Sequence, residues 1–210
     1  MCALTFAVLI ALVAPVAAEQ APMTFHAVDF ASTGCLADCP QVIIADGVIE
    51  ADTPQAFVDF AKQAAQTERL RGVIFINSPG GNVVASMELG SAFRRLRAAV
   101  VVAGFATVGA MSGPVAGECF SACVYALMGA VRRVAPLASR IGLHRMALVD
   151  PDGTGRGLAD PRMVAILAKY AAGMGVDPRL VWRAESQAPG ALHLLTASEI
   201  AHSRLAATRF

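Results

Sequence analysis

The chain has 210 residues, 17 basic against 16 acidic side chains, a net charge of +1 and an apolar fraction of 56%. Near-neutral charge with only two lysines and few aromatic residues gives no basic, aromatic-studded surface, so nucleic-acid binding is excluded as a leading reading. Beyond the first 18 residues nothing approaches eighteen unbroken apolar residues, which excludes a membrane-spanning core.

In chain order, residues 1–18 carry no charge, with an apolar stretch at 6–13 followed by Ala14-Pro15-Val16-Ala17-Ala18. The run is short for a bilayer span, and Val16 and Ala18 suit a signal peptidase. The expectation is a signal peptide over 1–18, a mature chain from Glu19, and an exported, periplasmic protein without a stable anchor; an uncleaved N-terminal anchor is the alternative. Residues 19–46 read as an N-terminal arm and first strand, and 47–210 as one α/β domain, since about 190 residues bury one good core. Short strands are expected at 41–45 and 48–49, turned by Asp46-Gly47. Pro54 then opens a helix with Phe57, Phe60, Ala61 and Ala64 at helical spacing. A buried parallel strand at 72–76 precedes a helix bearing Val84, Met87, Leu89 and Phe93. Another strand follows at 99–103, then a Gly-rich flexible loop over 105–118. Residues 121–129 read as helix, 139–143 as strand, 150–160 as a turn-rich lid, and 163–174 as an apolar helix stopped by Gly175. Strands alternating with helices predict an α/β fold with a mainly parallel sheet covered by helices. Arg94-Arg95-Arg97 is read as a solvated helix end.

Three segments carry chemistry. The first strand-to-helix junction is Asn77-Ser78-Pro79-Gly80-Gly81, whose glycines can turn backbone N–H groups toward one point. Ser121 opens the next helix and His144 ends the following strand. A serine hydroxyl needs a base to take its proton, an imidazole suits neutral pH, and a tetrahedral oxyanion needs fixed donors. Singly, a serine at a helix start is by default an N-cap and a histidine ending a strand a structural residue. The ordered set points to a serine hydrolase, with Ser121 as nucleophile, His144 as general base, and Gly80 and Gly81 as oxyanion donors.

These segments resemble the ClpP/crotonase superfamily, and within it the proteolytic subunit of the Clp protease. Ile76-Asn77-Ser78-Pro79-Gly80-Gly81 matches that family's oxyanion turn, and Ser121 falls on its nucleophile, in Phe-Ser-Ala rather than Ala-Ser-Met. Residues 126–133 with Pro136, Ser139 and Arg140 match the approach to His144, and Leu194-Leu195-Thr196-Ala197-Ser198-Glu199 the closing helix start. The resemblance spans roughly residues 47–205. It implies stacked ββα units, a peptide or unfolded-protein substrate, no cofactor, no metal, and self-assembly into homo-oligomers. It also implies an aspartate where this chain has Leu192 or His193. Glu185, Asp177 or Asp160 substituting from a loop, or His193 bonding His144, are the alternatives, with Glu185 and His193 carried as candidate third members. The missing acid keeps open a catalytically silent binding or scaffold protein of the same fold. A crotonase-type acyl-thioester enzyme ranks third, because no adenine-binding signature is present.

The mature chain has an even cysteine set: Cys35, Cys39, Cys119 and Cys123. Without histidines beside either Cys-x3-Cys pair, disulfides are expected rather than zinc. Cys35–Cys39 closing a small loop and Cys119–Cys123 bracketing Ser121 are the favoured pairing; a cross pair is the alternative.

Overall fold

Three β-branched runs build the centre of the molecule, a computed structural model that describes residues 21–30, 39–67, 70–108, 111–149, 156–188 and 190–209. The expected signal at 1–18, Cys35, and residues 150–155 of the expected lid lie outside the described residues. The runs form β2 (Gln41–Asp46), β3 (Leu70–Asn77) and β4 (Ala99–Val108), paired parallel in that order. Ile74 and Ile76 face one core and Phe75 the other, as Val100 and Val102 oppose Val101. Burial on both faces explains why these strands read as unbroken apolar stretches.

Helix α1 (Thr53–Ala64) begins with Pro54 in its first turn and buries Phe57 and Ala61. Helix α2 (Val83–Arg95) is N-capped by Asn82, whose side chain accepts from the Ala85 N–H. Phe57 meets Phe93 edge-on at 4.9 Å between ring centroids, locking the two helices over the sheet.

Two regions differ from the sequence expectation. The stretch set apart as an arm supplies β1 (Thr24–Asp29), antiparallel to β2 at one edge of the sheet. The loop expected over 105–118 is instead regular. The C-terminal part of β4 pairs antiparallel with β5 (Met111–Ala116), from Ala103↔Ala116 to Val108↔Met111, and β6 (Glu118–Phe120) follows at once. Pro114 and Gly113 read as breakers, but β5 is the outer strand of that pair, where a missing N–H leaves no ladder partner unsatisfied.

The chain then enters α3 (Cys123–Gly129), buried along its whole length, and β7 (Arg132–Val134), which pairs parallel with the start of β4. Next come β8 (Arg140–Leu143), the hairpin strands β9 (Ala147–Val149) and β10 (Arg156–Leu158), α4 (Pro161–Gly173), α5 (Arg179–Glu185), β11 (His193–Leu194) and α6 (Ala197–His202). A second, small sheet of β11, β8 and β6 joins the main one through the Ser78–Cys119 bridge. Arg133 ties this half together. Its guanidinium donates to the carbonyls of Met128, Ala130, Met174, Arg204 and Leu205, so one side chain satisfies the ends of several elements. No described helix is long and apolar enough to cross a membrane.

Candidate active site

The site forms where β3, β6 and β8 end. Ser78 follows β3 and is locked between strands: its N–H donates to Glu118 O, and its carbonyl accepts from Phe120 N–H. Gly80 and Gly81 then take φ values of +109° and +135°, which side-chain-bearing residues rarely adopt. Space enforces glycine as well. A Cβ on Gly80 would lie 2.8 Å from Ser121 Cβ and 2.7 Å from Phe120 O, and one on Gly81 would lie 2.1 Å from Ile49 O. The glycine turn is therefore pressed directly against the Ser121 backbone.

Ser121 sits between β6 and α3 with φ +53°, an uncommon left-handed conformation for serine. Two features hold it there. Its N–H donates to Gly142 O at 2.8 Å, and Cys119 and Cys123 on either side are joined by a disulfide, both fully buried. That is the bracketing pair expected from the sequence. Cys39 is also disulfide-bonded.

His144 directly follows β8. Its Nδ1 lies 2.7 Å from Arg145 O. A carbonyl only accepts, so Nδ1 carries the proton, and in the neutral ring Nε2 is left as the free base. Ser121 and His144 line one small cleft of about 130 Å³, together with Gly81, Ala122, Tyr125 and Met146. No hydrogen bond joins Ser121 Oγ to His144. Of the two turn glycines, Gly80 donates its N–H to Ser78 Oγ at 3.1 Å. The Gly81 N–H has no acceptor among the described residues, and neither has that of Ala122, next to Ser121. Two vacant donors beside a hydroxyl and an unprotonated imidazole nitrogen are what acyl transfer requires.

The acidic candidates separate. Glu185 Oε1 accepts from the Met146 N–H at 3.0 Å, so it reaches the backbone of the His144 loop rather than the ring. His193 does not meet His144; its Nε2 lies 2.9 Å from Glu199 Oε1. Glu199 also closes a capping box with Thr196. The Thr196 backbone N–H first, and His193 second, hold the Glu199 carboxyl down at about 2. Asp177 is held at about 2 by Arg179, and Asp160 caps α4 through the Arg162 N–H. Leu192 is half-exposed, just before the His193↔Leu143 pair, and its side chain lies over Gly142. Three contributors were not read from the sequence: the Ala122 N–H, the Arg145 carbonyl and Tyr125. The first two are backbone groups without a residue-type signature. Tyr125 is nearly buried on α3, where it reads as core. Among the described residues no cluster of His, Cys, Asp and Glu is arranged to hold a metal.

No protein-family model matches the chain, and no curated protein is detectably similar in sequence. Solved structures match in fold. A mutant of 1510-N, a membrane-bound stomatin-specific protease, matches with a TM-score of 0.55 at 16% identity, over 79% of this chain and 78% of that one. A second mutant of that protease, in complex with a substrate peptide, matches with a TM-score of 0.56 at 18% identity, over 79% and 74%. ClpP1 from Listeria monocytogenes matches with a TM-score of 0.51 at 18% identity, over 79% and 88%. The chain thus shares a mixed α/β fold with the stomatin-specific protease and with ClpP1.

Proposed function

We propose that the protein is an exported serine hydrolase, a ClpP-like peptidase that cleaves peptides or unfolded segments. The observation that carries this reading is the meeting of Ser121, His144 and two vacant backbone donors in one cleft. Ser121 Oγ attacks the substrate carbonyl while His144 Nε2 takes its proton. The N–H groups of Gly81 and Ala122 receive the oxyanion, and Gly80 keeps the turn close enough for them to do so. The imidazolium then protonates the leaving amine, and a water deprotonated by the same ring releases the acyl group and restores Ser121. The Arg145 carbonyl takes the orienting place that an aspartate holds in the Clp protease. It supplies a fixed acceptor without a full charge, so turnover below that of a carboxylate-backed triad is expected. Export is supported by the apolar N-terminal stretch and by the buried disulfide.

The alternative, a catalytically silent scaffold of the same fold, is favoured by one observation: Ser121 and His144 share a cleft without a hydrogen bond between them. A fluorophosphonate probe tests the choice. Oxidised protein lacking residues 1–18 is expected to be labelled, and Ser121→Ala to lose the label. Labelling that survives Ser121→Ala removes Ser121 as nucleophile, and an unlabelled, well-folded wild type establishes the silent reading.

A further inference from the structure

We infer that Tyr125 selects the substrate residue that enters the cleft beside Ser121, favouring a side chain with a hydrogen-bond acceptor, of asparagine or threonine size, over an aliphatic side chain of the same shape. This deepens the hydrolase reading of the same cleft and rests on it. Tyr125 stands on α3, four residues after Ser121, and its backbone carbonyl accepts from the Tyr170 hydroxyl at 3.0 Å, which anchors α3 against α4. Its side chain is only 4% exposed, yet it lines the cleft among Val83, Leu143, Met146 and Ala147. Apart from Ser121 and His144, it is the only described lining residue whose side chain carries an oxygen or nitrogen.

The hydroxyl is unspent. It makes no hydrogen bond to any described residue, and it is not among the polar atoms sealed from solvent. A phenol buried to this degree normally finds a partner, because leaving the group unpaired is costly. With none supplied by the protein, the opening that remains is the cleft. Burial, and secondly the negative charge of Glu185, push the phenol well above its ordinary value, so it stays a donor at any working pH. A substrate side chain entering here displaces water from that donor. An amide or hydroxyl oxygen replaces the lost bond, whereas leucine or valine leaves it unmade. An aspartate would accept too, but its charge would sit near Glu185, so the cleft disfavours it.

The test uses peptide–coumarin amides that differ only in the residue donating the cleaved carbonyl, with the near-isosteric pairs Asn/Leu and Thr/Val and with Asp. Wild type is expected to favour Asn over Leu and Thr over Val by about three- to tenfold in kcat/KM, the size of one net hydrogen bond, with Asp lowest. In Tyr125→Phe, which removes one oxygen and keeps the ring, both ratios are expected to fall to unity or below. Each ratio is taken within one protein, so a general loss of activity cancels. Ratios that survive Tyr125→Phe, or a wild type that prefers Leu and Val, overturn the assignment. Failure of the hydrolase reading shows separately, as a folded wild type that neither cleaves nor labels at Ser121. Calorimetric binding of the same peptides to that protein then decides Tyr125. An Asn preference lost in Tyr125→Phe supports it, and equal affinities or no binding overturn it.

Discussion

Glu185 and His144 grip opposite ends of one peptide group. His144 Nδ1 lies 2.7 Å from the carbonyl oxygen of Arg145, and the N–H on the other side of that same amide, that of Met146, donates to Glu185 Oε1 at 3.0 Å. A carboxylate bound to an amide N–H draws the proton side outward and makes the carbonyl a better acceptor, because hydrogen bonds in a chain polarise one another. The acid absent beside the imidazole therefore acts on it at one remove.

Glu185→Gln keeps the side-chain shape and an acceptor for the Met146 N–H but removes the charge. On the hydrolase reading, kcat is expected to fall about tenfold at unchanged KM and unchanged melting temperature, the loss typical of a charged hydrogen-bond partner. An unaltered kcat would mean that Glu185 only shapes the loop.

Leu192→Asp offers the opposite change. Leu192 immediately precedes the His193↔Leu143 pair at the edge of the small sheet and is 42% exposed, so the substitution breaks little buried packing. Supplying a carboxylate there is expected to raise kcat at least severalfold, since an orienting acid is worth about 10⁴-fold in the chymotrypsin-type example. A folded variant with wild-type or lower kcat would show that the Arg145 carbonyl already fills the role.

How much of this was legible beforehand varied with the type of group. Ile74 and Ile76 marked a buried strand, and the alternation of helix and strand marked the layers, because burial patterns are written in side chains. Ser121, His144 and Gly81 were legible as an ordered set and line one cleft, whereas Gly80, read as a donor beside them, spends its N–H on Ser78 Oγ. The Ala122 N–H and Arg145 carbonyl were not, since any residue type carries them. Glu185 stood among several acids, and only the fold separates it from Asp160 and Asp177, which serve as a helix cap and an ion-pair partner. The β4–β5 hairpin was hidden by Gly104, Gly113 and Pro114, whose breaker signal is outweighed by backbone pairing at an edge.

Replacing Cys119 and Cys123 together by serine opens a loop of a few residues around Ser121. Chain entropy alone predicts a loss of about 2 kcal/mol, or a fall in melting temperature of about 4–8 °C for a chain of this size. Labelling of Ser121 is expected to drop further than the folded fraction does, because the turn at φ +53° loses its clamp. Labelling that tracks the folded fraction alone would show that the Gly142 hydrogen bond suffices.

Acid should reveal the Glu199 cap. Its folded value, about 2, lies below the ordinary 4.5, so ionised Glu199 stabilises the fold above about pH 4.5, and that contribution fades as pH falls toward 2. The melting-temperature gap between wild type and Glu199→Gln is expected to be full at about pH 5.5 and to shrink at about pH 3. A gap that persists undiminished at that pH would remove the carboxylate as its source.

The staple around Ser121 has a consequence for timing. A cell that synthesises a peptidase must keep it harmless until delivery, and many solutions add a segment that is later cut away. Here, on the hydrolase reading, the nucleophile's own turn is assembled by oxidation of the two cysteines that flank it. In a thiol-rich compartment those cysteines stay reduced, and the turn has the Gly142 hydrogen bond alone to hold it. Arrival in an oxidising one would complete it, making the destination itself the activating event.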